Sequence, residues 1–333
     1  MTTKIVKSND IDEAAACLAS GGTVVFPTET VYGLGADAFN DTAVEKIYKA
    51  KGRPGDNPLI VHISDLSDLS KLAFEINSNA EKLINAFWPG PMTLIFKKQQ
   101  SVPYKVTAGL DTVAVRFPSN KTAHDLIKKS KVLVAAPSAN LSGSPSPTVC
   151  SDVIDDLNGR VDYIIDGTGC EIGLESTVID VSGEDTVILR PGAVTLEMVK
   201  FHIDNAYLDS GLVDNDAVPK CPGLKYKHYS PKADVIVVQG EKTNVRKYIS
   251  ECLNSESSVG VLTYKGGEYG NSDLTLNAGD SMGEYAHNLF TMLRMFDKKG
   301  IKRIYAEFAV ESGIGIAVRN RLYKSAGHKI IEV

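Results

Sequence analysis

Short apolar runs rich in β-branched residues alternate along this chain with stretches whose apolar residues recur every three or four positions. The runs at 23–26, 59–61, 93–97, 112–116, 132–135, 163–165, 176–181 and 186–189 predict strands. Between them, a helix is expected to start near Asn9 or Asp10 and to stop at Gly21-Gly22, and a second to run from Asp41-Thr42 to near Lys51. Further helices are predicted at 79–88, stopped by Pro89-Gly90-Pro91, at 121–130 and at 148–157. Strands that follow one another directly call for antiparallel members, so the expectation is an α/β fold built on a mixed sheet.

The pattern breaks at 205–232, where periodic apolar residues give way to prolines and mixed charges. This stretch reads as a linker long enough to have a function of its own. Strand, helix and strand patterns resume at 235–238, 244–253 and 259–263. They continue with an amphipathic helix at 282–297, a strand at 304–308, a helix at 315–325 and a strand at 329–333. The domains expected are therefore 1–204, a linker at 205–232, and a small Rossmann-like α/β domain at 233–333. No GxGxxG follows the first strand of that domain, so dinucleotide binding is not assigned to it.

Composition narrows the function classes. A net charge of −5 and a pI near 5.8 argue against a dedicated nucleic-acid binder. The five cysteines, Cys17, Cys150, Cys170, Cys221 and Cys252, show no CxxC spacing, so neither a zinc site nor a disulfide framework is signalled. Neither a signal-peptide pattern nor an apolar run of about 18 residues occurs, and a cytoplasmic chain with no membrane partner is expected.

Candidate chemistry gathers at strand ends. Phe26-Pro27-Thr28-Glu29-Thr30-Val31-Tyr32-Gly33-Leu34-Gly35 and Ala136-Pro137-Ser138-Ala139-Asn140 place hydroxyl and amide groups after buried runs, as crevices of open α/β sheets require. Lys51-Gly52-Arg53-Pro54 holds two cations in a stiff loop. By themselves these cations read equally as a solvated helix C-terminus or as an anion site, and the hydroxyl and amide loops tilt the balance toward an anion, most simply a nucleotide. Arg116 is either a sheet-end surface charge or a carboxylate clamp, and Arg190 either a phosphate clamp or a structural ion pair. His62, after a buried run, is by type more often a core residue than a catalyst. Neither a P-loop, an HExxH nor a Ser-His-Asp pattern is present.

Eight segments in order, PTETVYGLG, KGRPGDNPL, FWPGPMTLIF, TAGLDTVAVRFP, APSANLSGSPSPT, GLESTVID, ILRPGA and PGLKYKHYSP, resemble the threonylcarbamoyl-AMP synthase (YrdC-like) family in its long two-domain form. The resemblance implies a twisted mixed-sheet catalytic domain and synthesis of threonylcarbamoyl-AMP from L-threonine, bicarbonate and ATP, with pyrophosphate released. Lys51, Arg53, Ser138 and Asn140 match the family's catalytic set. Thr30, His62, Arg116, Ala136 and Ser176 fall at its threonine positions, and Arg53, Asn57, Thr112, Ser138, Ser146, Arg190 and Tyr226 at its ATP positions. Magnesium is expected to arrive with ATP rather than in a protein cage. Glu175 is left open between orienting Lys51 or Arg53 and helping to hold magnesium. A separate tRNA threonylcarbamoyl transferase is the partner implied downstream, with tRNA contact by this chain weak. Rival readings are a tRNA or double-stranded RNA-binding module and a carbamoyltransferase. The linker is expected to fold over the site as a lid, with Tyr226 on the nucleotide.

Overall fold

The computed structural model describes residues 2–210, 229–309 and 312–333. The chain forms two compact units: one from the N-terminal part, the other from the C-terminal part together with the short pieces 143–146 and 172–174. The strands of the first unit are β1 (Lys4–Lys7), β2 (Val24–Phe26), β3 (Gly33–Asp37), β4 (Ile60–His62), β5 (Met92–Lys97), β6 (Thr112–Arg116), β7 (Val134–Ala135), β8 (Tyr163–Asp166), β9 (Thr177–Asp180), β10 (Val187–Arg190) and β11 (Tyr207–Leu208). They form one sheet in the order β1-β8-β2-β3-β7-β4-β6-β5-β9-β10-β11. Directions are mixed: β4 and β6 are parallel, as are β5 and β9, while β5 and β6, β4 and β7, and β3 and β7 are antiparallel.

Three strands depart from the expectation. β1 is an exposed edge flanked by lysines, so it lacks an apolar run. β3 lies where a loop was expected. Its Gly-Leu-Gly-Ala sequence has low strand propensity, but close approach requires the glycine: a Cβ on Gly35 would stand 2.6 Å from Val134 Cγ1 and 2.8 Å from Phe26 Cε1. β11 falls within the stretch expected as linker and pairs parallel to β10.

One face of the sheet packs on the main core, which includes Val61, Leu94, Phe96, Val113, Val115 and Ile179. On the opposite face, around β2 and β7, residues of the helices Asp12–Ala19 and Lys121–Ser130 pack against Val24, Phe26, Val134 and Ala136. Further along, that face carries a small cluster of its own, Ile60, Ile95, Ala114, Val178 and Leu189. The helix Asp41–Lys51 is capped by the Asn40 side chain, which accepts from Ala43 N–H, and ends on Gly52 at φ +63°. That left-handed glycine turns the chain sharply into the Arg53 loop.

In the second unit, β12 (Asp234–Gln239), β13 (Val259–Thr263), β14 (Leu274–Asn277), β15 (Arg303–Phe308) and β16 (Ile330–Glu332) form an all-parallel sheet in the order β14-β13-β15-β12-β16. The helices Lys242–Leu253, Met282–Lys298 and Gly315–Ser325 alternate with these strands. This is the Rossmann-like arrangement the sequence predicts, with β14 added. Among the described residues no helix is long and apolar enough to cross a membrane.

Candidate active site

Strand register brings the candidate residues onto one face. His62 pairs with Arg116, Arg116 with Thr93, Thr93 with Val178, and Val178 with Arg190. Directly paired residues share a face, so one end of β4, β6, β5, β9 and β10 carries a row containing a histidine, a threonine and two arginines. All four of these polar side chains are buried. The row behind it is apolar, Ile60, Ala114 and Ile95. Thr112 opens β6 and Arg116 closes it, and their alternate positions put both on the same face. Thr112 and Arg116 thus mark two ends of the face about 13 Å apart.

At the Arg116 end, a buried guanidinium replaces the surface charge that the sequence also allowed. Arg116 Nη2 stands 2.8 Å from Glu29 Oε1, and each side chain is only 5% exposed. The two groups meet outside hydrogen-bond alignment: Glu29 Oε1 and Oε2 and Arg116 Nε and Nη2 have no hydrogen-bond partner among the described residues. His62 Nδ1 bonds to the Ile60 carbonyl at 3.1 Å, and the ring meets Phe26 edge to face. Burial, helped by the Arg116 charge, pushes the His62 pKa down to about 3, so the ring is neutral at physiological pH. The Ala136 N–H donates to the same Ile60 carbonyl at 2.9 Å. Ser176 Oγ bonds to Thr93 Oγ1 at 2.7 Å and receives Arg190 Nη2 at 3.1 Å, while Arg190 Nε donates to the Ser176 carbonyl at 3.0 Å. Thr30 Oγ1 lies 2.9 Å from Thr28 Oγ1, inside the turn that carries Glu29.

The second cluster joins three loops. Lys51 is 2% exposed, which removes the solvated helix-terminus reading. Its Nζ donates to the Ser138 carbonyl, to the Asn140 carbonyl at 2.7 Å and to Asn140 Oδ1 at 3.4 Å. Ser138 Oγ donates to Asn140 Oδ1 at 2.6 Å. Backbone bonds from Leu34 N–H to Pro137 O and from Ala139 N–H to Tyr32 O tie this loop to β3 and to the residue just before it. Arg53 Nη2 donates to the Pro58 carbonyl at 3.2 Å and to that of Asn57 at 3.4 Å, which folds the loop back on itself just before β4. Asn57 is buried, and its Oδ1 has no hydrogen-bond partner among the described residues. Ser146, also buried, falls in the 143–146 piece that clusters with the second unit. Tyr226 lies outside the described residues, as do Cys221 and most of the stretch expected as a lid.

A curated threonylcarbamoyl-AMP synthase of Pyrococcus abyssi is 46% identical over 325 residues, covering 96% of this chain and 95% of its own length. The chain belongs to the threonylcarbamoyl-AMP synthase family. The Bacillus subtilis member is 44% identical over 336 residues, 99% of this chain and 97% of that one. Residues 16–192 match a family model described as Telomere recombination, and 194–327 match one described as Threonylcarbamoyl-AMP synthase, C-terminal domain. The crystal structure of P. abyssi Sua5 complexed with L-threonine superposes with a TM-score of 0.95 at 44% identity, covering 100% of both chains. For a synthase of this family, sequence reasoning passed over Glu29 and Thr93. Both were legible as polar residues within otherwise apolar or hydroxyl-rich segments, but only the register shows that Thr93 lies beside Arg116.

Proposed function

We propose that the face of β4, β6, β5 and β9 is where this synthase joins L-threonine, bicarbonate and ATP into threonylcarbamoyl-AMP and pyrophosphate. The observation that carries the reading is the buried row of His62, Arg116, Thr93 and Arg190 across one end of the sheet. Guanidinium groups match carboxylate and phosphate oxygens, and an amino-acid carboxylate and a reacting phosphate are the two anions this reaction brings together. Arg116 takes the α-carboxylate. Thr30, His62, Ala136 and Ser176 line the amino acid, with neutral His62 offering a hydrogen bond rather than a charge. Arg190, in the same row, faces the phosphate that the amino acid must reach.

The nucleotide extends toward Arg53, Asn57, Thr112 and Ser138. Lys51 acts chiefly by fixing the Ser138–Asn140 loop, because its ammonium is already bonded to that loop's carbonyls. Zwitterionic threonine and bicarbonate give the N-carboxylate and water, with one proton released to solvent. A carbamate oxygen then attacks the α-phosphorus, and the bond to pyrophosphate breaks. Catalysis rests on positioning and on charge stabilisation at phosphorus. Magnesium supplies charge neutralisation on ATP. That ion is carried by phosphate oxygens and water. The product feeds N6-threonylcarbamoyladenosine formation in tRNA through a separate transferase in the cytoplasm, with direct tRNA contact a minor feature.

The test is to incubate the full chain with ATP, L-threonine and ¹³C-bicarbonate and to follow products by mass spectrometry. The expected result is labelled threonylcarbamoyl-AMP with an equal amount of pyrophosphate. RNA binding without labelled adenylate would contradict the reading.

A further inference from the structure

Glu29 is a buried carboxylate in a site whose reactants are mostly anions. ATP, bicarbonate and the threonine carboxylate all repel it. Its neighbour Arg116 stands at 2.8 Å, yet neither Glu29 oxygen accepts a hydrogen bond among the described residues. A purely structural buried pair is stabilising only when its polar atoms are hydrogen-bonded, and here four atoms of the pair are not. Both groups therefore retain bonding capacity toward a ligand carrying a cation and an anion close together. An α-amino acid is such a ligand, its ammonium and carboxylate joined through one carbon.

We propose that Glu29 receives the α-ammonium group of the amino acid and, after N-carboxylation, the N–H that remains. This rests on the assignment of the Arg116 end to the amino acid. The turn fits the task. Thr28 Oγ1 accepts from the Thr30 and Val31 N–H groups and donates to the Val31 carbonyl, so Glu29 is held between two residues whose backbone is fixed. The carboxylate also gives the carbamate a direction. It attracts the N–H and repels the new carbamate oxygens, turning them away from Glu29 and toward the phosphate.

The experiment is calorimetry on the full chain with L-threonine and with 2,3-dihydroxybutyrate, which keeps the carboxylate and hydroxyl but lacks the amine. Wild type should bind threonine at least about tenfold more tightly than the analogue. Glu29→Gln should remove most of that preference by weakening threonine and leaving the analogue nearly unchanged, and Glu29→Asp should keep part of it. Equal binding of both compounds by wild type overturns the proposal without recourse to any variant. So does a Glu29→Gln protein that weakens both ligands alike, or one that changes only the magnesium requirement. Arg116→Ala separates the two levels. If it weakens threonine while Glu29→Gln does not, only the Glu29 role fails. If neither variant affects threonine, the site itself is misassigned.

Discussion

His62 shows how burial sets chemistry at a single residue. Its folded pKa is about 3 against an ordinary value of 6.5, because desolvation and the Arg116 charge both disfavour the imidazolium. Between those two values the unfolded chain takes up a proton that the folded chain refuses. Stability therefore rises with pH across that window and is lost as pH falls below about 6.5. Lowering the pH from 7 to 5 should cost about 2 kcal/mol through this one residue. Urea denaturation at the two pH values should show the loss in wild type and a smaller loss in His62→Asn. An equal loss in both would mean that His62 is not the residue responsible. At this scale the sequence supplied the residue types but left their states open. Arg116 read as either a sheet-end surface charge or a carboxylate clamp, and the structure shows it buried in register with His62 and Thr93.

At the scale of elements, the strands rich in Val, Ile and Leu were legible within a residue or two, as β6 and β13 show. β3 was not, because its strand is dictated by its neighbours rather than by its own side chains. Gly35 fits between Phe26 and Val134 only because it has no Cβ. Gly35→Ala should therefore destabilise the protein by about 1–3 kcal/mol through overpacking, lowering the melting temperature by roughly 3–10 °C. Gly183, whose Cβ would meet nothing within 4 Å, provides the control, and Gly183→Ala should melt close to wild type. Matching melting temperatures for the two variants would show that β2, β3 and β7 are not packed as described. The loops that β3 helps to hold carry Glu29 and Ser138, so this strand connects sheet packing to the site.

Across the whole molecule, the division into an N-terminal mixed-sheet unit and a C-terminal Rossmann-like unit followed from where the strand and helix patterns lapse and resume. The lapse began too early in the sequence reading, since Tyr207–Leu208 still pairs in the first sheet. Its two residues are too few to show a period. The order of the strands was illegible altogether, because β4, β6, β5, β9 and β10 become neighbours only through long-range pairing. That order creates the face for which we propose an amino-acid end at Arg116 and a nucleotide end at Arg53 and Thr112. Steady-state kinetics of Arg116→Ala and Arg53→Ala, with each substrate varied in turn, tests it most directly. Arg116→Ala should raise the KM for threonine by about 10- to 150-fold, the loss of one charge-assisted contact, and leave the KM for ATP within about threefold. Arg53→Ala should show the reverse pattern. If each variant weakens both substrates equally, the face does not have two separate ends, and the account is wrong.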